Sequence, residues 1–403
     1  MFEITIGKAV SSISKKIKGG SSALPGKLAK NINKNYLKNI KIDDCFIIFV
    51  TGTNGKTSTT NYIYRMLLKK KLKEKLVCNT KGSNMLQGIG TTLIDACKKF
   101  ENSYAIQNKI IILEVDELTV PRIMEDGIIP NLLVCTNLSK DQEDRTTSPK
   151  HVAHVIQKAC AYHNVPIVVR KEYEYLFDIP LSNCTFWNYK KDHDAIFLNM
   201  DANDEELEPK ELAKGIDYPD DCPSYILDNF MCAAWVFLYL QNRYLVEESK
   251  RIPSIDLSVY GRAERISIKD PFSNEYITLG LDLCKNEAGL DAVMKDLKPK
   301  RPFMMLANLG RTPADGNDLS WFFKYDFSKI FDNELFKGFY VFGDIPDELV
   351  GKNENINIEK YDITFFEKNN YDIFYISNYS KLNETKKALE TRQKWLQWKV
   401  KIE

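Results

Sequence analysis

The chain has no paired cysteines. Its nine cysteines stand singly, with no CxxC pair and no disulfide-style spacing, which points to a reducing cytoplasm. Long apolar runs are missing as well. Stretches such as Phe46–Val50 and Trp235–Leu240 are far too short to cross a bilayer, and the amino-terminus lacks the apolar core of a secretory leader. Neither sign of charge predominates: 56 Lys and Arg against 55 Asp and Glu leave a net charge of +1. That balance gives no support for nucleic-acid binding, and the basic stretches Lys69–Lys75 and Lys295–Arg301 read as solvated faces. Histidine is scarce, with four in the chain. His151 and His154 fall three apart on an expected helix, but no HExxH pattern accompanies them and metal ligation is not expected. No Ser/His/Asp or Cys/His nucleophile set emerges.

What remains is an ordinary globular composition, long enough at 403 residues for two or three domains. The run Cys45–Val50 predicts a strand that feeds a Gly-containing loop, and Ser58–Lys70 carries Ile63, Met66 and Leu67 at helical spacing. Strand, loop and helix in this order open a parallel α/β domain. Further strands are expected at Leu76–Asn79, Ile110–Glu114, Leu132–Thr136 and Pro166–Val169, with helical patterns between most of them. Ile226–Leu240 is apolar enough for a buried helix, while Phe177–Tyr218 is polar and resists assignment. Strand patterns at Tyr276–Leu281, Phe303–Ala307, Lys337–Phe342 and Ile373–Ile376, with a long polar helix at the end, form a second α/β domain. The expected organisation is an amino-terminal segment over 1–44, with a turn-rich stretch at Gly19–Gly26, a central domain over 45–250 and a carboxy-terminal domain over 251–403.

The strongest local signal is Thr51-Gly52-Thr53-Asn54-Gly55-Lys56-Thr57, followed by Ser58. Glycines let backbone N–H groups approach phosphate oxygens, and the following helix directs its positive end at the same anion. Thr53, Asn54, Gly55, Lys56, Thr57 and Ser58 are thus candidate phosphate-binding residues. Lys56 can pair with β- and γ-phosphates and the Thr57 hydroxyl can hold Mg²⁺. The string is shorter than GxxxxGK[ST], because Val50 stands where its first Gly would be. Downstream, Ile111-Ile112-Leu113-Glu114-Val115-Asp116-Glu117 ends a buried-type strand in a carboxylate. Ligands of parallel sheets bind at the carboxyl ends of strands, so Glu114 is a second candidate for Mg²⁺. The next strand ends in Thr136-Asn137-Leu138-Ser139-Lys140-Asp141-Gln142-Glu143-Asp144-Arg145, a second acid-rich strand end.

Together TGTNGKT, LEVDE and TNLSKDQEDR resemble the central domain of the Mur ligase family. Gln142, where that family usually has His after the Asp of its third motif, is similar to the MurT-type ligases. Ala23-Leu24-Pro25-Gly26-Lys27, Asn79–Asn84, Gly88-Ile89, Tyr260–Glu264, Lys285–Gly289 and Ala314–Trp321 match in family order. The resemblance implies a central P-loop ATPase domain followed by a Rossmann-like α/β carboxy-terminal domain. About fifty residues precede Thr51, fewer than a UDP-binding domain needs, as in MurT-type chains. It implies ATP and Mg²⁺ as cofactors, and Lys56, Glu114 and Asp141 as catalytic. ATP would phosphorylate the α-carboxylate of D-glutamate in lipid II, and ammonia from a glutaminase partner of the GatD type would amidate it. Asn229 and Arg262 would contact ATP; the plainer alternatives are a helix cap and a surface ion pair. Asp318, with Asp315 as the other candidate, would complete the partner's Cys–His pair, although Ala314–Asp318 is also rich in turn formers.

Three departures stand out. MurT-type ligases usually carry a four-cysteine zinc ribbon, whereas Cys184 and Cys222 stand alone here, so no structural zinc is expected. Lys324 replaces an acid after the aromatics that follow Trp321, and Thr146-Thr147-Ser148-Pro149 replaces a Gly-Glu pair. These changes keep open another carboxylate joined to an amine, and a non-catalytic nucleotide-binding scaffold is the third reading. The lysines at 8, 15, 16 and 18 among Ile4, Ile6, Val10 and Ile13 suggest peripheral contact with a membrane. The expected location is the cytoplasm, at the membrane's inner face.

Overall fold

The computed structural model describes residues 1–16, 23–79, 83–139, 148–177, 184–192, 195–199, 222–244, 252–269, 276–312, 315, 318–349, 356–358 and 371–390. The chain forms two compact units. The first comprises Met1–Ser139, Thr147–Cys222 and Ile226–Leu257; the second comprises Lys140–Thr146, Pro223–Tyr225 and Ser258–Glu403.

In the first unit, helices α1 (Phe2–Lys16) and α2 (Leu24–Ile32) come first, followed by β1 (Ile40–Asp43) and β2 (Phe46–Thr51). All six residues of β2 are buried, as expected of a strand covered on both faces of a parallel sheet. Helix α3 (Lys56–Lys69), β3 (Leu76–Cys78), α4 (Leu86–Ala96), β4 (Lys98–Phe100), β5 (Ser103–Gln107) and β6 (Ile110–Glu114) follow. Next come α5 (Val120–Glu125), β7 (Leu132–Cys135), α6 (Pro149–Tyr162), β8 (Ile167–Arg170), β9 (Cys184–Asp192), β10 (Ala195–Asn199) and α7 (Ser224–Tyr244). The main sheet has the order β10-β9-β8-β7-β2-β6-β3. Its pairings are parallel except for the β9–β10 hairpin. That hairpin occupies part of Phe177–Tyr218, and residues 200–221 lie outside the described residues. Strands β1, β5 and β4 form a separate small sheet.

The order of the main sheet positions the site. The chain passes from β2 outward to β3, returns to β6, and then crosses to β7 on the other side of β2. Such a switch point opens a crevice beyond the carboxyl ends of the strands, so the loops after β2, β6 and β7 converge there.

The amino-terminal residues differ from expectation. Ala23–Gly26 opens a helix, with Pro25 in its first turn, where the missing N–H is no loss. Gly26 is required by packing: a Cβ there would lie 2.0 Å from the Gln87 carbonyl oxygen of α4. The membrane reading is corrected at two residues, Ile4 and Lys8, whereas the Lys15 side chain stays 67% exposed. Ile4 is fully buried in the core, Lys8 Nζ donates to the carbonyls of Ile94 and Cys97 at 2.9 and 2.7 Å, and Lys15 pairs with Asp95 at 2.9 Å. Phe2 and Ile13 remain outward, 71% and 61% exposed, and Lys18 lies outside the described residues. No described helix is long and apolar enough to cross a membrane.

The second unit contains β11 (Glu264–Lys269), β12 (Tyr276–Leu283), α8 (Glu287–Asp296), β13 (Phe303–Leu309), α9 (Ser320–Lys324) and α10 (Ser328–Phe331). It continues with β14 (Phe336–Gly343), β15 (Asn357–Ile358) and β16 (Asp372–Ser377). Its sheet runs β11-β12-β16-β13-β14-β15, with β11 antiparallel to β12 and the other pairings parallel. Phe322, Phe327 and Phe339 pack edge-on or tilted, with centroids 5.0 to 5.8 Å apart, the geometry aromatic quadrupoles favour.

Candidate functional site

Register sets the site. Val50 of β2 pairs with Glu114 of β6, and Thr51 pairs with Cys135 of β7. The loop leaving β2 therefore starts between a carboxylate and the strand that leads into Thr136-Asn137. Two glycines let it turn. Gly52 has φ +127° and Gly55 has φ +80°, values that cost an L side chain strain. Space excludes a Cβ as well. At Gly52 it would lie 2.3 Å from Thr136 Oγ1, and at Gly55 2.0 Å from Asn229 Oδ1.

The loop is laced to the β7 end by neutral groups. Thr53 N donates to the Asn137 carbonyl (2.9 Å) and Asn54 N to Asn137 Oδ1 (3.0 Å). In return Thr136 Oγ1 and Asn137 Nδ2 donate to the Asn54 carbonyl, at 2.6 and 2.8 Å. Thr53 Oγ1 both donates to the Ser139 carbonyl (3.1 Å) and accepts from Ser139 N (3.0 Å). The amides of Thr53 and Asn54 are thus part of the scaffold, a correction to their expected place among the phosphate-facing groups. The N–H groups left for an anion are those of the first turn of α3, from Lys56 through Ser58, which an α-helix leaves without intrahelical acceptors. That turn has no acidic residue.

Lys56 is buried beneath this turn. Its Nζ donates to the Gly52 carbonyl, to the Thr53 carbonyl (3.2 Å) and to Glu117 Oε1 (3.2 Å). The Lys56 and Glu117 side chains are only 6% and 10% exposed. Glu117 was quoted in the LEVDE string but given no role in the sequence reading. It lies three residues past the end of β6, where strand pattern gives no direction to a side chain.

Glu114 is held on both sides. Its backbone N donates to Asn79 Oδ1 (2.7 Å), and its carbonyl accepts from Asn79 Nδ2 (2.9 Å). Asn84 Nδ2 donates to Glu114 Oε1 (3.1 Å). Asn79 and Asn84 sat in a matched string without a role and now prove to orient this acid, which is 2% exposed. The Thr57 hydroxyl and the carboxylate of Glu114 are hard oxygen donors of the kind Mg²⁺ takes. Asp141 falls outside the described residues.

Asn229 joins the loop from far along the chain. It lies inside α7, which rules out the cap alternative, and its side chain meets Gly55. Its carbonyl accepts from Thr59 Oγ1 at 3.4 Å. The preceding Asp228 accepts from Arg170 Nη1 (2.8 Å) and Tyr189 OH (2.5 Å), so strands β8 and β9 fix this turn of α7. Burial, reinforced by the charge of Asp228, pushes the Tyr189 hydroxyl well above its ordinary range. Burial likewise raises the thiol of Cys135, and that of Cys232 to about 12, so neither is an activated nucleophile.

The three remaining candidates, Arg262, Asp315 and Asp318, belong to the second unit. Arg262 Nη1 donates to the Leu283 carbonyl at 2.5 Å. Asp315 is 1% exposed and accepts from Thr312 Oγ1 (2.6 Å) and Ser380 N (2.9 Å). Asp318 is half-buried and accepts from Ser320 N (2.7 Å) and Ser320 Oγ (2.9 Å) at the start of α9. Of the two acids, Asp315 is an internal tie and Asp318 stands nearer the surface. His151 and His154 are both exposed on α6.

Comparison with known proteins adds three findings. The Mur ligase middle domain family matches residues 50–203. The chain is 22% identical over 375 residues to the lipid II isoglutaminyl synthase (glutamine-hydrolyzing) subunit MurT of Staphylococcus aureus, covering 82% of each chain. It is 39% identical over 127 residues to the subunit of the same name from Streptococcus pneumoniae, covering 32% of this chain and 26% of that one. Among solved structures, MurF ligase from Thermotoga maritima in complex with ADP aligns with a TM-score of 0.57 at 16% identity, over 93% of this chain and 84% of that one. The bifunctional folylpolyglutamate synthase/dihydrofolate synthase of Yersinia pestis, complexed with AMPPNP and Mn ion, aligns with a TM-score of 0.55 at 13% identity, over 86% and 89%. At these identities the structural likeness carries the fold.

Proposed function

From the premise that this chain is a MurT-like Mur ligase of α/β fold, and so an ATP-dependent ligase, we propose that it amidates the α-carboxylate of D-glutamate in the lipid II stem peptide. The lipid II acceptor comes from the names of the relatives. The single observation that carries the chemistry is the register pairing of Val50 with Glu114, which sets an acid beside the start of the phosphate loop. ATP and a divalent metal fit this site: glycines 52 and 55 leave no room for a Cβ, and the donors are hard oxygens. Thr57 and Glu114 would hold Mg²⁺, whose charge would offset that of the phosphates.

The steps follow from the residues. The first turn of α3 and Lys56 bind the β- and γ-phosphates and stabilise charge on the transferring phosphoryl group. An acceptor carboxylate oxygen attacks the γ-phosphorus and ADP departs. Ammonia then attacks the acyl carbon, inorganic phosphate departs, and the nitrogen loses a proton to give the amide. Asn229 and Arg262 contact the nucleotide in this reading. The relatives' description as a glutamine-hydrolyzing synthase subunit supports a glutaminase partner of the GatD type, met by Asp318, with the pair working in the cytoplasm at the inner face of the membrane. No structural zinc is invoked.

The test is to incubate the purified chain with ATP, Mg²⁺, ammonium and lipid II, following ADP release and product mass. Acceptor-dependent ADP release with an amidated product supports the reading. Nucleotide binding with no turnover on lipid II, but turnover on another carboxylate, would reassign the acceptor. Binding without turnover on any carboxylate would leave a scaffold.

A further inference from the structure

An ammonium has three N–H donors, and Lys56 Nζ has three acceptors: the carbonyls of Gly52 and Thr53, and Glu117 Oε1. A phosphate oxygen therefore gains Lys56 only by displacing one of them. The two carbonyls belong to a loop whose backbone is laced to Asn137 and Ser139, so they cannot withdraw without undoing it. Glu117 is held through a side chain, and it is the one charged acceptor of the three. It is also the one whose charge repels an incoming phosphate. Burial of both partners keeps this interaction unscreened by solvent.

Resting on the reading that Lys56 meets nucleotide phosphates, we propose that Glu117 is a positioning residue that holds Lys56 against the loop and competes with the nucleotide for it. The segment that carries Glu117 is fastened around Asp116. Asp116 N donates to the Asn84 carbonyl (3.0 Å), and Thr119 N to the Asp116 carbonyl (2.9 Å). Leu118 N donates to Asp116 Oδ1 (3.2 Å). Asn84 also donates to Glu114.

The test is calorimetric titration of ADP into the full chain and into Glu117→Gln, once with EDTA and once with excess Mg²⁺. With EDTA, the variant is expected to bind about tenfold more tightly, the scale of one charged hydrogen bond. The same change made on a Lys56→Ala background should give a clearly smaller gain, because only the direct repulsion between Glu117 and phosphate is then removed. Glu117→Asp keeps the charge but shortens its reach, and should give an intermediate gain if the Gln variant folds poorly. Equal or weaker binding by Glu117→Gln in EDTA, or a gain just as large without Lys56, overturns the proposal. Wild-type chain that binds ADP while the variant changes nothing defeats this inference alone. Wild-type chain that binds no nucleotide defeats the ATP-ligase reading with it.

Discussion

The phosphate loop has a base and a rim, and they are built differently. The base, Thr51–Asn54 against Thr136–Ser139, is joined by neutral hydrogen bonds between groups that hold each other's backbone. The rim, Lys56 with Glu117 and Glu114 with Asn84, is made of buried charges, each with a side-chain partner. Neutral backbone lacing fixes geometry and is insensitive to an arriving anion. Charged side-chain pairs can be exchanged for a ligand's charges. The loop is therefore rigid where it must hold its shape and exchangeable where phosphate is to be met.

Substitutions in the two regions should separate accordingly. The largest effect is expected at the rim. Lys56→Ala should lower acceptor-dependent ADP release about a thousandfold, the scale of a lost charge stabiliser. Its thermal midpoint should fall as well, by what a loss of about 3 kcal/mol produces, because the buried Glu117 is left without its cation; a variant too unfolded to bind ADP would erase the distinction. At the base, Gly52→Ala should cost about 3 kcal/mol of stability, since the intruding Cβ meets the backbone of Asn137 as well as Thr136 Oγ1. Chemical denaturation measures this, and nucleotide affinity should fall in parallel.

Asn137→Ala sharpens the contrast. It removes both side-chain bonds to Asn54 and should cost about 2 kcal/mol, with ADP affinity and stability declining together. The smallest effects are expected in the second unit. Asp318→Ala should lose about 1 kcal/mol, as a helix-start acceptor does, and Asp315→Ala more, because it removes two hydrogen bonds, from Thr312 and Ser380, that tie separate segments to one buried acid. With the glutaminase partner present, Asp318→Ala should lose glutamine-driven turnover and keep ammonium-driven turnover. Equal loss of both would remove Asp318 from the partner's site.

Much of the base was legible in the sequence because it is local. The strand over Ile110–Glu114 is where alternation of covering helices and a closing carboxylate placed it, and the buried helix around Ile226–Leu240 is α7. The loop itself follows from two glycines and a helix start. The rim was half legible. Glu114 ends a strand, so its position follows from the sheet, whereas Glu117 reaches Lys56 only through the path of an irregular segment. Asn137 and Asn229 contact the loop across 83 and 170 or more residues of chain, a pairing no local pattern encodes. The amino-terminal helices were hidden for another reason. Gly26 and Pro25 read as turn formers, yet close approach to α4 and the tolerance of a first helical turn for proline make them helical.

The most direct measurement uses an acceptor whose carboxylate oxygens are labelled with ¹⁸O, turned over with ATP, Mg²⁺ and ammonium. If the chain activates the carboxylate by phosphorylation, one ¹⁸O appears in inorganic phosphate for each amide formed. Amide formed alongside unlabelled phosphate would contradict carboxylate activation at this site.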